Sequence, residues 1–107
     1  MNKYKRQNTI AVDVDGTLQI NGEPNHKLIA WLREQKADGF HLILWSSRGK
    51  DNATHFASLF GVADLFDVIC SKPGYIVDDK GWTWARFTRI IRTFHKNNEE
   101  DEQNCHE

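Results

Sequence analysis

Two pairs of acidic residues stand out in this chain of 107 residues, because each pair follows a short apolar segment. Asp13 and Asp15 end a β-branched segment near the start of the chain, and Asp78 and Asp79 follow another such segment much later. Carboxylates that lie close together repel one another, so a cluster of four needs a compensating cation near neutral pH. Mg²⁺ is the natural candidate because it prefers oxygen ligands in octahedral geometry. The two acid pairs therefore predict a magnesium site, provided that the fold brings them together.

A hydroxyl group and an ammonium group occupy comparable positions between the two acid pairs. Ser46 follows an apolar segment, with Ser47 beside it as the alternative donor, and Lys72 lies shortly after a further apolar segment. Lys50 and Lys80 are the weaker alternatives to Lys72. Hydroxyl and ammonium groups stabilise the charge of a phosphoryl group. Together with a divalent cation, they would draw a phosphate into a site that carboxylates alone would repel.

Short β-rich segments alternate with segments of helical periodicity along the chain. We predict strands over residues 9–13, 40–45, 68–70 and 75–77, and a small hairpin over residues 18–23 with a turn at Asn21-Gly22. We predict helices that begin at Pro24, at Asp51 or Asn52, and at Thr83, and that end at Gly39, Phe60 and His95. Strands that alternate with helices imply an α/β fold with parallel pairing and right-handed crossovers. Ligands of such sheets bind beyond the carboxyl ends of the strands, where the acids, the hydroxyl and the lysine are expected.

The acidic, hydroxyl and lysine elements resemble, in their order, the four motifs of the haloacid dehalogenase-like (HAD) phosphatase superfamily. The elements that carry the resemblance are Asp13-Val14-Asp15-Gly16-Thr17, Ser46, Lys72-Pro73 and Val77-Asp78-Asp79. The resemblance covers about residues 9–80. It implies a three-layer Rossmann-like sandwich with a small parallel sheet, an abbreviated HAD-like core without a cap domain. The chain departs from the family in one span, because Lys72 lies only six residues before Asp78.

The resemblance also implies a role for each of these residues. Asp13 would attack phosphorus and form an aspartyl-phosphate, and Asp15 would protonate the leaving oxygen and then deprotonate the attacking water. Ser46 and Lys72 would complete the catalytic set by stabilising charge on the phosphoryl group. The expected phosphate contacts are Asp15, Gly16, Ser46, Ser47 and Lys72. The expected Mg²⁺ ligands are Asp13, Asp15 through its main-chain carbonyl, and Asp79, with Asp78 left open as the alternative to Asp79.

The composition is that of a soluble globular domain, with 39% hydrophobic residues, 27% charged residues and a net charge of −1. The apolar segments fall far short of the roughly 20 residues that a membrane-spanning helix needs, and no signal-peptide pattern opens the chain. Cys70 and Cys105 lie in an apolar and a polar context, which does not indicate a disulfide framework. We therefore predict a cytoplasmic protein with one domain over residues 1–97 and an acidic, disordered tail over residues 98–107.

The predicted function is that of a magnesium-dependent phosphomonoesterase with an open site, since the only expected lid is the small hairpin. The three-residue spacing of Arg86, Arg89 and Arg92, together with Trp82, slightly favours a nucleotide or a polynucleotide end as the phosphorylated substrate. No membrane partner is expected, and the oligomeric state is left open. The alternative function is that of a non-catalytic HAD-like module that binds a protein or a nucleic acid.

Overall fold

The computed structural model describes residues 8–85, 88–89 and 105–106, in two compact units that comprise Met1–Lys72 and Pro73–Glu107. The first unit contains the parallel strands and the α-helices. In chain order its elements are β1 (Thr9–Asp13), β2 (Gln19–Ile20), β3 (Glu23–Pro24), α1 (His26–Ala37), β4 (His41–Ser46), α2 (Lys50–Leu59) and β5 (Val68–Ser71). A single 3₁₀ turn, Ala63–Leu65, leads from α2 towards β5.

Within the described residues of the first unit, three parallel strands form a sheet in which β4 lies between β1 and β5. The register sets Asp13 of β1 beside Trp45 of β4, and Ser46 of β4 beside Ser71 of β5. The carboxyl ends of the three strands therefore meet at one edge of the sheet. The predicted α/β fold with a small parallel sheet is confirmed at this level, and it places Asp13 and Ser46 at the same edge.

The connection from β1 to α1 is a hairpin with a sharp turn at Asn21 and Gly22, as predicted. Strands β2 and β3 pair in antiparallel register, and both turn residues have positive φ, 54° at Asn21 and 82° at Gly22. Two consecutive positive φ values are typical of the tight turn that joins short hairpin strands. The predicted helix start at Pro24 is wrong, because Pro24 belongs to β3. Asn25 caps α1 instead, by accepting a 3.2 Å hydrogen bond from Leu28 N.

Helix α2 begins earlier than predicted, at Lys50, and Gly49 occupies the capping position. Gly49 has a φ of 104°, a conformation that residues with a Cβ rarely adopt, and it lets the chain turn sharply between β4 and the helix. The prediction that Asp51 or Asn52 caps this helix is therefore wrong, because both residues lie within its first turn. One consequence is that the side-chain amide of Asn52 is available to the edge of the sheet.

The sheet of the first unit is covered unequally on its two faces. The chain crosses from β1 to β4 and then from β4 to β5, in the same direction across the sheet. Because such parallel connections are right-handed, α1 and α2 are expected on the same face. On one face of β4, Leu42, Leu44 and Ser46 are no more than 1% exposed, whereas the intervening residues of the strand are only half-buried. The core of the first unit therefore lies on the helical side, and it fixes Ser46 at the end of a closely packed strand.

The beginning of the second unit differs from the prediction of a strand over residues 75–77. Tyr75 and Val77 are 94% and 101% exposed, and this segment forms no strand. Its β-branched composition favours extended backbone, but a strand also needs a neighbour for its backbone hydrogen bonds. No such neighbour pairs with the segment among the described residues.

The remainder of the second unit is described only in short pieces. Gly81–Trp84 forms a 3₁₀ turn, and β6 (Thr88–Arg89) pairs antiparallel with β7 (Cys105–His106). The predicted helix over residues 83–95 is therefore wrong where the chain is described, and its other residues lie outside the described residues. The predicted tail over residues 98–107 also lies outside them, apart from β7. In the part of the chain that is described, no helix has the length and apolar character needed to cross a bilayer.

Candidate active site

The loop after β1 folds back tightly and holds the first acidic residue in place. Val14 O accepts hydrogen bonds from Thr17 N at 3.1 Å and from Gln19 N at 3.0 Å, and Gly16 turns the chain with a φ of 81°. Thr17 Oγ1 donates a 3.2 Å hydrogen bond to Asp13 Oδ2. The side chain of Asp13 is 29% exposed. This carboxylate is therefore anchored by its neighbour and still accessible to a ligand at the edge of the sheet.

The carboxylate of Asp15 has a side-chain amide on each of its oxygens. Gln19 Nε2 donates to Asp15 Oδ1 at 2.9 Å, and Asn52 Nδ2 donates to Asp15 Oδ2 at 3.3 Å. Arg48 Nη1 lies 3.7 Å from the same Oδ2, but the Arg48 side chain is 70% exposed. An exposed ion pair contributes only about 0–1 kcal/mol. The two amides, rather than the guanidinium, therefore fix the orientation of Asp15.

Ser46 connects the end of β4 with α2 and with the segment after β5. Its Oγ accepts hydrogen bonds from Arg48 N at 3.0 Å and from Asn52 Nδ2 at 2.9 Å. Its main-chain oxygen accepts a hydrogen bond from Lys72 N at 2.9 Å. Because Ser46 is only 1% exposed, its described contacts organise this edge of the sheet. The neighbouring Ser47 is exposed and offers the more accessible hydroxyl.

Lys72 brings a positive charge to Asp13 from a distant part of the chain. Its backbone is held by Ser46 O directly after β5, and its Nζ lies 3.8 Å from Asp13 Oδ1. This separation is longer than a direct hydrogen bond, and the Lys72 side chain is 43% exposed. The contact is therefore a loose electrostatic one, and an anionic ligand at the edge of the sheet can reach both groups.

Contacts within the first unit join four of the predicted site residues, namely Asp13, Asp15, Ser46 and Lys72. Gly16 and Ser47, which are expected to contact phosphate, are exposed beside them. Asp78 and Asp79 belong to the second unit, where both are exposed. Asp78 Oδ1 there accepts a 2.8 Å hydrogen bond from Lys80 N, an arrangement typical of a turn. The role of Asp78 or Asp79 as a metal ligand therefore stays a prediction from the sequence.

Two residues at this edge, Gln19 and Asn52, belong to no motif that identifies them in the sequence. Gln19 lies four residues after Asp15, and Asn52 lies six residues after Ser46. These spacings become informative only once the hairpin and the first turn of α2 are located. The sequence predicts Asp51 or Asn52 as the cap of that helix, a role that Gly49 takes instead.

The donor atoms at this edge suit a hard cation. Asp13 offers carboxylate oxygens and Asp15 a main-chain carbonyl oxygen, and Mg²⁺ is usually bound in phosphate chemistry by one or two carboxylates, several waters and the substrate phosphate. Across residues 8–85 and the two short described pieces, no group of three or more acidic, histidine or cysteine side chains gathers around one point. The Asp13 carboxylate and the Asp15 main-chain carbonyl would fit a magnesium ion that takes further ligands from water and phosphate.

Comparison of the chain with protein-family models, with curated proteins and with solved structures found no match. The chemistry of this edge must therefore be inferred from its own residues. Asp13, Asp15, Lys72 and the exposed Ser47 all lie at the carboxyl end of a parallel sheet, where ligands of such sheets bind. This combination suits the binding and transfer of a phosphoryl group.

Proposed function

We propose that this protein is a magnesium-dependent phosphomonoesterase that acts through an aspartyl-phosphate on Asp13. The observation that carries the proposal is the 3.8 Å approach of Lys72 Nζ to Asp13 Oδ1 at the carboxyl edge of the sheet. A lysine in this position reduces the repulsion between an acidic nucleophile and an anionic phosphate. Asp15, two residues further along the chain, supplies a second carboxyl group for proton transfer.

The finer fold proposal is a small HAD-like phosphatase core without a cap domain. It is supported by the parallel order of β1, β4 and β5, and by the sharp turn at Gly16 directly after the first strand. A complete three-layer Rossmann-like sandwich also needs a layer on the face opposite α1 and α2. That layer rests on the sequence resemblance alone.

In the first step, a carboxylate oxygen of Asp13 attacks phosphorus and forms a new P–O bond. The bond between phosphorus and the leaving oxygen breaks, and Asp15, which enters the step protonated, gives its proton to that oxygen. Lys72 stabilises the negative charge on the phosphoryl group during the transfer. The products of this step are a neutral alcohol and the phosphorylated Asp13.

In the second step, water hydrolyses the aspartyl-phosphate. Asp15, now a carboxylate, accepts a proton from the water molecule as its oxygen attacks phosphorus. The bond between phosphorus and Asp13 breaks, and inorganic phosphate leaves. Asp13 is again a carboxylate and Asp15 is again protonated, so both residues return to their starting states. Dividing the hydrolysis in this way replaces one difficult displacement with two easier ones.

Phosphate binding is assigned to the exposed groups at this edge. The hydroxyl of Ser47, the backbone at Gly16 and the ammonium group of Lys72 would contact the phosphoryl oxygens, with Ser46 supporting them through its hydrogen bonds. The expected phosphate contacts also include Asp15, whose carboxyl group would face the leaving oxygen in this mechanism. All of these residues lie at the carboxyl ends of β1, β4 and β5 or in the segments that follow them.

According to the sequence-based prediction, the magnesium ion would be held by the Asp13 carboxylate and the Asp15 main-chain carbonyl, joined by Asp79, or by Asp78 in its place. When bound there, Mg²⁺ supplies positive charge that offsets the charge of the incoming phosphate. The charge of Lys72 would add to that of the metal, and together they would offset the repulsion between the carboxylates and an anionic substrate.

A nucleotide or a polynucleotide end is the substrate class we propose. Arg48 and Lys72 have side chains that are 70% and 43% exposed at this edge, so an extended anionic substrate can reach them. Arg86 and Arg92, and the side chains of Trp82 and Arg89, lie outside the described residues and stay part of the sequence-based expectation.

The test is release of phosphate from p-nitrophenyl phosphate in the presence and absence of Mg²⁺, followed by a panel of nucleotides, 5′- and 3′-phosphorylated oligonucleotides and sugar phosphates. We expect Mg²⁺-dependent turnover by the wild-type protein. Asp13→Asn should reduce kcat by at least about 10³-fold, because it removes the nucleophile. Asp38→Asn is the matched control, since Asp38 is an exposed acid at the C-terminal end of α1, and it should leave kcat unchanged.

Two outcomes would contradict the proposal. Equal inactivity of the wild-type protein and Asp13→Asn on the whole panel would favour the alternative, a non-catalytic module that binds a protein or a nucleic acid. Turnover that survives Asp13→Asn would exclude Asp13 as the nucleophile. A clear preference for sugar phosphates would leave the mechanism intact and exclude the proposed substrate class.

A further inference from the structure

The proposed proton-transfer residue, Asp15, is held by two neutral amides that approach it from different elements. Gln19 of β2 donates to Oδ1 at 2.9 Å, and Asn52 of α2 donates to Oδ2 at 3.3 Å. A carboxyl group with a donor on each oxygen cannot rotate about its Cβ–Cγ bond without losing both hydrogen bonds. Both donors are uncharged, so they orient Asp15 without adding a further charge to the site.

The amide of Gln19 is itself oriented by the hairpin turn. Gln19 Oε1 accepts a 2.8 Å hydrogen bond from Gly22 N. A backbone N–H can only donate, so the oxygen of this amide must face Gly22 and its nitrogen must face Asp15. The positive φ of 82° at Gly22 turns that N–H back towards Gln19. The hairpin between β1 and α1 therefore sets the direction of one donor to Asp15.

The amide of Asn52 is oriented by the end of β4. Its Nδ2 donates to Ser46 Oγ at 2.9 Å as well as to Asp15 Oδ2 at 3.3 Å. The shorter of these two hydrogen bonds is the one to Ser46, a residue that is 1% exposed in the packed core. Asn52 can thus keep a full hydrogen bond to Ser46 when its weaker bond to Asp15 is lost.

Both oxygens of Asp15 are therefore fixed by neutral donors, and the orientations of these donors are set in turn by Gly22 and Ser46. The guanidinium of Arg48 also lies 3.7 Å from Oδ2, but its side chain is 70% exposed, so the amides hold the carboxyl group more firmly.

We infer that Gln19 and Asn52 are positioning residues that hold the carboxyl group of Asp15 in the orientation from which it transfers a proton to the leaving group. This inference rests on the proposed function, in which Asp15 protonates the leaving oxygen. It adds Gln19 of the hairpin and Asn52 of the first turn of α2 to the residues on which the activity depends.

The test compares two substrates that differ in their need for a proton donor. p-Nitrophenolate departs as a stable anion, whereas the alkoxide of glycerol 2-phosphate must be protonated as it leaves. Gln19→Met and Asn52→Leu keep roughly the size of each side chain and remove its amide. We expect both variants to lose about 10-fold or more in kcat on glycerol 2-phosphate relative to p-nitrophenyl phosphate, within the roughly 10²- to 10⁴-fold that a general acid contributes.

Three further variants calibrate this comparison. Asp15→Asn should show the largest difference between the two substrates, because it removes the acid itself. Gln35→Met, at a half-buried glutamine on α1, is the matched control and should leave the ratio of the two rates unchanged. Gln19→Glu retains an acceptor for Gly22 N but replaces the donor to Asp15 with a second carboxylate, so its loss on glycerol 2-phosphate relative to p-nitrophenyl phosphate should be at least as large as that of Gln19→Met, without opening the hairpin.

The ratio of the two rates is measured on one preparation, so it does not depend on the folded fraction of a variant. Equal losses on both substrates in Asn52→Leu and Gln19→Glu would overturn the inference and assign the amides a structural role. Unchanged rates on both substrates would overturn it as well. A wild-type protein inactive on both substrates would instead contradict the proposed function, which the panel with Asp13→Asn examines separately.

Discussion

A lysine and an aspartate approach each other at each end of β4, but the distance between ammonium and carboxylate differs between the two pairs. At the amino end, Asp67 Oδ2 accepts a 2.8 Å hydrogen bond from Leu42 N, and Asp67 Oδ1 accepts a 2.9 Å bond from Lys36 Nζ. Asp67 N also donates to Leu42 O at 2.8 Å. At the carboxyl end, Lys72 Nζ lies 3.8 Å from Asp13 Oδ1. One lysine makes a direct hydrogen bond with its carboxylate, and the other stays beyond that distance.

This difference separates an ion pair that stabilises the fold from one that is suited to binding. The Leu42 backbone N–H, and after it the Lys36 ammonium group, hold the pKa of Asp67 below its ordinary value of 3.8. His41 adds to this, with its Nδ1 3.5 Å from Asp67 Oδ2. At the other end, a loosely held lysine retains its capacity to contact an anionic ligand. We therefore expect substitutions at the amino end to change stability and substitutions at the carboxyl end to change activity.

The largest contrast is expected from replacing the two lysines in turn. Lys72→Met should reduce phosphatase kcat by about 10²-fold or more, because it removes a charge that stabilises the transferring phosphoryl group. Lys36→Met should leave kcat unchanged and lower the melting temperature, because it removes the 2.9 Å bond to Asp67. Steady-state kinetics gives kcat, and thermal unfolding gives the melting temperature, for both variants and the wild-type protein. Loss of activity in Lys36→Met without loss of stability would contradict the assignment of the amino end of β4 to stability and of the carboxyl end to activity.

A second contrast concerns the carboxylates. Asp67→Asn should lower the melting temperature and retain the kcat of the wild-type protein, since its contacts lie at the amino end of β4. Asp13→Asn should lose activity and keep its melting temperature, because the contact of Asp13 with Lys72 is loose and relief of carboxylate repulsion offsets its loss. Calorimetry on the two variants under one buffer condition checks both statements. A larger loss of stability in Asp13→Asn than in Asp67→Asn would contradict them.

The pH dependence of stability should sharpen this contrast. Because the folded-state pKa of Asp67 is depressed, its contribution to stability is fully present above the unfolded-state value, ordinarily 3.8, and is lost as the pH falls through the lower folded-state pKa. The difference in melting temperature between the wild-type protein and Asp67→Asn should therefore shrink as the pH falls below about 4. Unfolding curves between about pH 3 and pH 5 provide the measurement. A difference that grows as the pH falls over this interval would have the wrong sign.

The smallest expected effect is the response of stability to magnesium. A ligand that binds only the folded state raises the melting temperature by mass action, so millimolar Mg²⁺ should stabilise the wild-type protein. Asp13→Asn and Asp79→Asn should show a weaker response, and Asp67→Asn should show the full response, because its carboxylate is already bonded at the other end of β4. Equal responses in Asp13→Asn and the wild-type protein would contradict a metal site at the carboxyl end.

Much of the first unit could be predicted from local sequence. The β-branched residues before Asp13 specify a strand that ends where the acid begins, and Asn21-Gly22 specifies a tight turn because both residues tolerate positive φ. Gly39 follows the end of α1, as predicted, with a φ of 95°. Each of these features depends on a residue and its close neighbours in the sequence, so a short sequence pattern is enough to predict it.

Other features of the chain depend on partners that local sequence does not specify. The segment over residues 75–77 has the composition of a strand, but its backbone pairs with no strand among the described residues. The predicted start of α2 is wrong because Asp51 and Asn52, although good capping residues in isolation, lie within the first turn of the helix. Gly49 takes that position because the chain must turn sharply after β4.

By itself, the sequence determined which residues carry charge or hydroxyl groups at the ends of apolar segments, and that parallel strands would bring several of them to one edge. Only the tertiary structure decided that Asn52 meets Asp15 across 37 residues of chain, and that Lys72 approaches Asp13 without a direct hydrogen bond. The physical reason is that such contacts depend on the register of β4 between its neighbours and on the first turn of α2. Both are set by the packing of the whole unit rather than by the residues that touch.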